Sequence, residues 1–455
     1  MPKIFTYTEP LHADMIDAFC VLQKEFTDQF VYYEKGSFAS TTNHATEDPQ
    51  ETDRANDGSS SAEAEEGGTE GQRFPARLMG LGRCIAVRDA DDIEAVYQGP
   101  CSASPVLFSF NRFDAENPRP ADELFQAFPK LSMLLPEVVL VDSPQGPLLQ
   151  VNSLGPVYAG RVERFARRAR QAKGRTRVTV PYSIERDDPA EWQREVEGVL
   201  SAIDSGRVSK TVLSRRVKLK AQQVFSSKDL LVNLIDGPSK GTVFLYRYGD
   251  VFFCGCTPEL LVRKRGLAIE SECLAGTTGV GSTEEETARL ARELLADDKN
   301  RREHAFVVDF IRSVVDRNCH AVRIPSAPVI KRLQHVQHLQ TPVRAKVMEG
   351  RSVENLAGQL MPTPALAGMP VGESLMLLRE TEPYNRGFFG GSVGYRTADG
   401  DGAFSVAIRC GVFDGEIGWL YAGCGIVAGS DASSEYDEID MKLQTILSAF
   451  EGKER

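Results

Sequence analysis

Paired apolar runs, broken by one to five turn residues, recur along this chain and confine it to large antiparallel sheets. TVFLYRY and VFFCGC flank a turn centred on Tyr248-Gly249-Asp250, and LLVRKR and LAIESECLAG flank Gly266. MLLPEVVLV and PLLQVNSL flank Asp142-Ser143-Pro144-Gln145-Gly146 in the same way. Strands joined by so short a link can only pair antiparallel, because a parallel neighbour needs a long crossover. Stretches of helical spacing stand between the hairpins: 189–206, ended by Gly206, 283–318 in two pieces, and 432–450. Segregated hairpins and helices indicate an α+β fold, a single large domain of extensive antiparallel sheets flanked by helices.

Along the chain, residues 1–35 read as an N-terminal helical segment, because Met15–Phe26 is amphipathic. Residues 36–72 are rich in Ser, Thr, Glu and Gly and nearly lack large apolar groups, so they read as a disordered acidic insertion. Residues 73–200 form a first half of short strands and helices, and 201–455 the catalytic region.

The net charge of -11 argues against nucleic acid as a partner. It leaves a small anionic metabolite open, since a few local cations and a metal ion suffice to bind one. No apolar run approaches the roughly 18 residues that span a bilayer, and the N-terminus lacks the form of a signal peptide. Nine cysteines without a C-x-x-C suggest reduced thiols in a cytoplasm. His335 and His338 have no clustered third ligand beside them. No Gly-rich phosphate-binding motif follows a strand, so nucleotide chemistry has no support.

Three places carry charge that a plain core or surface does not explain. In SSEYDEIDMKLQTIL, Glu435, Glu438 and Lys442 share one helix face, either against the body or as a solvated ion-pair row. In KNRREHAFVVDF, Glu303 opens an apolar face continued by Val307, Phe310, Ile311 and Val314. Two carboxylates from separate helices could hold Mg²⁺, or each could simply start or line a surface helix. Lys210 opens the strand KTVLSRRV and shares a face with Val212, Ser214 and Arg216. Turned inward it could act as a base; turned outward it is an ordinary edge lysine.

Nine segments in order resemble one family, and they span about 205–450: KTVLSRRV, CGCTPELLVR, LAGTTGVG, ELLADDKNRREH, VQHLQTPV, MPTPALAGMP, ETEPYNRGFFGGSVGY, GDGAFSVAIRC and YAGCGIVAGSDASSEYDEIDMK. They resemble the chorismate-utilising enzymes, which include anthranilate, aminodeoxychorismate, isochorismate and salicylate synthases. The resemblance implies that Glu303 and Glu438 hold Mg²⁺, with Glu435 and Asn300 behind them. It implies Lys210 as general base and Glu259 as general acid. It places Arg409, Lys442 and the backbone at Gly423 on substrate carboxylate, and Gly276, Thr277 and His338 around the ring. Asn300 departs from the family, which has an aspartate in that K-D-R.

Lys210 resembles the members that activate water rather than ammonia, so no glutaminase subunit is implied. Ala365 and Phe389 resemble the isochorismate-forming pattern; salicylate-forming members have hydroxyl-bearing residues there. The implied reaction moves a hydroxyl around the chorismate ring, in a cytoplasmic monomer. The product begins both menaquinone and catecholate siderophore pathways, and LLPEVV is closer to the menaquinone type.

Overall fold

The computed structural model describes residues 4–35, 77–87, 96, 104–120, 123–129, 133–156, 159–185 and 188–452. The proposed insertion at 36–72 lies outside them.

Two sheets dominate, and every ladder among the described residues is antiparallel. The first has twelve strands and runs from Phe5–Pro10 at one edge through Gln29–Lys35, Gly241–Tyr248, Val251–Thr257, Cys410–Asp414 and Ile417–Val427 to Lys210–Ala221 near the other. The second has ten and includes Val336–Val347, Ala268–Gly279, Leu260–Arg265, Gly402–Val406, Ser392–Arg396 and Leu107–Asn111 as successive neighbours.

Alternation along the strands explains the packing. Val243 and Leu245 enter an aliphatic core, while Phe244 and Tyr246, one step out of phase, enter an aromatic one. Val31 and Tyr33 part from Phe30 and Tyr32 in the same way. The aromatic layer also takes Phe108, Phe110 and Tyr395 from the second sheet, so it is the seam between the two sheets. Its rings meet at 4.7–6.5 Å, as in Phe110 on Tyr246 and Phe110 on Phe388. Helices cover the aliphatic side of the first sheet.

The N-terminal segment is not the helical appendage expected. Only Met15–Leu22 is an α-helix, with Asp14 capping it through Ile16 N and Asp17 N. Phe5–Pro10 and Gln29–Lys35 are strands of the first sheet, the latter internal. FVYY is apolar at consecutive positions because both of its faces are buried, which removes the alternation that marks a half-exposed strand. The later helices fall where the spacing predicts, at Pro189–Asp204, Glu284–Ala296, Asp298–Asn318 and Ala432–Leu447.

Candidate active site

The strand Lys210–Ala221 turns Leu213, Val217 and Leu219 into the aliphatic core. Its other face presents Val212 to a cavity whose open space, mouth included, is about 690 Å³. Lys210 shares that face and is fully buried. Its Nζ lies 2.9 Å from Glu303 Oε1, off the line of a hydrogen bond, and no other acceptor reaches it. The nearest charge is therefore a carboxylate. Gly425, opposite Val212 on the neighbouring strand, makes this approach possible. A Cβ there would stand 2.5 Å from Glu303 Oε1 and 2.9 Å from Lys210 Cε.

Glu303 projects from the helix Asp298–Asn318, whose Val307, Ile311 and Val314 are buried below it. Burial pushes its carboxyl up, but Lys210, with Lys442 and Lys299 nearby, outweighs burial and holds it below the ordinary range. On the last helix, Glu438 pairs with Lys442 at 2.6 Å, and Lys442 also donates to Gly423 O at 2.8 Å. This row lies against the body rather than forming a solvated face: Glu435 is buried and pairs with Lys299 at 2.7 Å. Three carboxylates are thus matched one to one by three lysines.

The strand Ala268–Gly279 bulges between Ala275 and Thr277, where Gly276 takes a left-handed φ of 78° that favours glycine. Asn300 holds this bulge. Its Oδ1 accepts from Thr277 N at 3.2 Å and its Nδ2 donates to Asp297 Oδ1 at 2.7 Å, so the amide braces the Gly276 bulge and the helix cap. His338 Nδ1 lies 3.0 Å from Thr277 Oγ1 and 3.2 Å from Gly276 O, and its Nε2 faces Arg409 Nη2 at 3.4 Å. A guanidinium can only donate. His338 therefore carries its proton on Nδ1, and burial, then Arg409 and Lys442, hold it neutral.

Arg409 and Glu259 both occupy links where the chain passes between the sheets. Arg409 follows Gly402–Val406 and precedes Cys410–Asp414, and it adopts φ 55°, an uncommon conformation for a side-chain-bearing residue. Burial pulls its guanidinium down to about 10, against Glu438 and Glu259. Glu259 stands between Val251–Thr257 and Leu260–Arg265. Burial, then Glu272, pushes its carboxyl up to about 8, against Lys331, Arg409 and Lys210.

Glu259, Gly276, Thr277, Glu303, His338, Ala365, Phe389, Arg409, Gly423 and Lys442 all line the one cavity, with Lys210 at its edge beside Glu303 and Gly425. Phe389 stacks on Tyr421 at 5.3 Å. Sequence reasoning missed Arg386, which also lines the cavity. It donates to Glu382, Leu366 O and Val212 O, and lies 4.5 Å over the Phe113 ring. No periodic signal marks it, since Glu382 and Arg386 lie beyond the end of the helix Val371–Thr381.

For Mg²⁺, Glu303 and Glu438 offer hard oxygen donors. No three His, Cys, Asp or Glu side chains gather among the described residues, and a cation that keeps water and substrate oxygens needs only one or two carboxylates. The donor set fits such an ion.

The described cysteines, eight in number, are free thiols, and no described helix is long and apolar enough to cross a membrane. A family profile described as "Chorismate binding enzyme" matches residues 87–451. The isochorismate synthase MenF of Bacillus subtilis (strain 168) is 32% identical over 365 residues, 78% of this chain and 76% of its own length. The salicylate biosynthesis isochorismate synthase of Pseudomonas aeruginosa is 31% identical over 366 residues, again 78% and 76%. The structure of MenF, the menaquinone-specific isochorismate synthase from Escherichia coli, superposes with a TM-score of 0.75 over 99% of this chain and 95% of that one, at 22% identity, which speaks for the fold. The match over most of the chain, together with a cavity built from the very segments that resemble the family, makes this chain a member of the chorismate-binding enzymes.

Proposed function

We propose that this chain is an isochorismate synthase, acting on chorismate alone as a cytoplasmic monomer without a glutaminase subunit. The observation that carries the reading is one cavity with a lysine at its edge, a buried carboxyl in its wall that burial pushes up to about 8, and no hydroxyl at Ala365 or Phe389.

Water adds at ring C2, the double bonds shift, and the C4 hydroxyl leaves. Water is a weak nucleophile and hydroxide a poor leaving group, so each end needs a proton transfer. Lys210, as the neutral amine, takes a proton from the attacking water. Glu259 gives its proton to the departing hydroxyl, which leaves as water. Arg409 and Lys442 bind carboxylate, the guanidinium offering a two-pronged donor. Gly276, Thr277 and His338 border the ring. Glu303 and Glu438 would hold Mg²⁺, which when bound supplies an anchor for a substrate carboxylate and stabilises negative charge there. The relatives' names cover both menaquinone and salicylate routes, and the LLPEVV segment favours the menaquinone one.

Purified protein given chorismate and Mg²⁺ should accumulate isochorismate, resolved by chromatography, and approach the same mixture from isochorismate. EDTA should stop turnover and added Mg²⁺ restore it. Salicylate appearing without a separate lyase, or anthranilate forming with ammonia, would overturn the assignment. Because Glu259 donates only while protonated and Lys210 accepts only while neutral, kcat/KM should have two limbs, the alkaline one set by Glu259 and falling above about pH 8. A profile still rising beyond that pH would remove Glu259 from the acid role.

A further inference from the structure

The placement of Glu259 depends on a two-residue link, Pro258-Glu259, between strands of different sheets. Its own backbone is tied once on each side: Glu259 N donates to Thr257 Oγ1 at 3.2 Å, and Glu259 O accepts from Val406 N at 3.1 Å. The flanking peptides are held by a single ion pair. Lys331 Nζ donates to Pro258 O at 2.7 Å and to both oxygens of Glu272, at 2.7 and 2.8 Å. Glu272 Oε1 accepts from Leu260 N at 2.9 Å, and Gln340 Nε2 donates to Glu272 Oε2. Glu272 is buried on the strand Ala268–Gly279, and Lys331 reaches in from Val329–Arg332.

We propose that Glu272 and Lys331 are positioning residues that clamp Glu259 from both sides and set the charge it faces. The proposal rests on Glu259 being the acid. A hydrogen bond to each neighbouring peptide fixes where the carboxyl points, and the pair sets its electrostatics. The charged and titratable groups facing Glu259 are Glu272 and Cys273 from Ala268–Gly279, Lys331 from Val329–Arg332, Arg409 from the second crossing and Lys210 from the first sheet. Among them Glu272 is the largest influence after burial and acts against the three cations. A neutral group at 272 would therefore let the cations prevail and favour the ionised acid.

The test is Glu272→Gln. Its amide oxygen can still accept from Leu260 N, so the loop keeps its tie while the charge is gone. The alkaline limb of the kcat/KM profile should move to lower pH by about one unit, the size a close charge produces. A merely structural role would lower the rate and leave the limb where it is, and that result overturns the proposal. The double variant Glu272→Gln/Lys331→Met removes the pair without stranding either charge. It should move the limb in the same direction by less, because Glu272 outweighs Lys331 at Glu259. If neither variant folds, the pair is scaffolding and the proposal falls. Glu259→Gln separates the two failures. If that variant turns chorismate over at the wild-type rate, the acid assignment is wrong. If it is inactive while the limb of Glu272→Gln stays put, the clamp is wrong.

Discussion

Replacing Lys210 by alanine should slow the conversion of chorismate by about 10²- to 10⁴-fold, the contribution of one positioned proton-transfer group. The lysine is fully buried, and its one charged neighbour at hydrogen-bonding distance is Glu303, so two roles compete: base, or counter-ion to a buried carboxylate. Lys210→Arg tells them apart. Arginine keeps a cation opposite Glu303 but cannot give up its proton near neutral pH. It should be about as slow as the alanine variant while keeping far-ultraviolet circular dichroism and Mg²⁺ affinity closer to those of the parent. Recovery of turnover in Lys210→Arg would show that charge alone matters there, and the proposed base would have to be sought elsewhere.

The second large effect is on stability. Arg386→Met should destabilise the protein by about 3–5 kcal/mol, the usual result of stranding one member of a buried ion pair. Arg386 and Glu382 are each 3% exposed. Glu382 also accepts from Ser214 N and Ser214 Oγ, both at 2.8 Å, and Tyr384 donates to Ser214 O at 2.7 Å. Removing the guanidinium leaves that carboxylate with two neutral donors and frees Val212 O and Leu366 O, whose residues line the cavity. A urea titration should show the midpoint falling. Glu382→Gln/Arg386→Met should fall less than Arg386→Met, since no charge is then left alone. Equal losses would mean that the packing of Arg386 against Phe113 carries the effect rather than its charge.

These two residues also mark what could be read from the chain and what could not. Lys210 was legible only through the family resemblance: a strand's period of two puts it beside Val212 but leaves open which face turns inward. The hairpin at Tyr248-Gly249-Asp250 was legible because Gly249 supplies the left-handed conformation its turn uses, at φ 61°. The strand Gln29–Lys35 was not, since burial on both faces erases the alternation that separates strand from helix. The counter-ions were hidden for a different reason. Glu303 meets Lys210 and Glu435 meets Lys299 only after the chain has folded over 93 and 136 positions, and no local pattern encodes such a pairing. Asn300 shows the same limit on a smaller scale. Its place one turn before Glu303 gave no hint that its oxygen accepts from the backbone of Thr277 on a separate strand.

The crossings that carry Glu259 and Arg409 make the reaction centre a joint of the architecture rather than an ornament on its rim. Two strands change partners at this point, and each does so at a residue that would handle chorismate. A slight glide of one layer over the other would carry the proton donor and the carboxylate clamp together, while altering their separation from Lys210, which belongs to one layer only. Substitutions among the rings of the seam, far from any reacting atom, could thus retune the distance between base and acid and leave every side chain around the substrate unchanged.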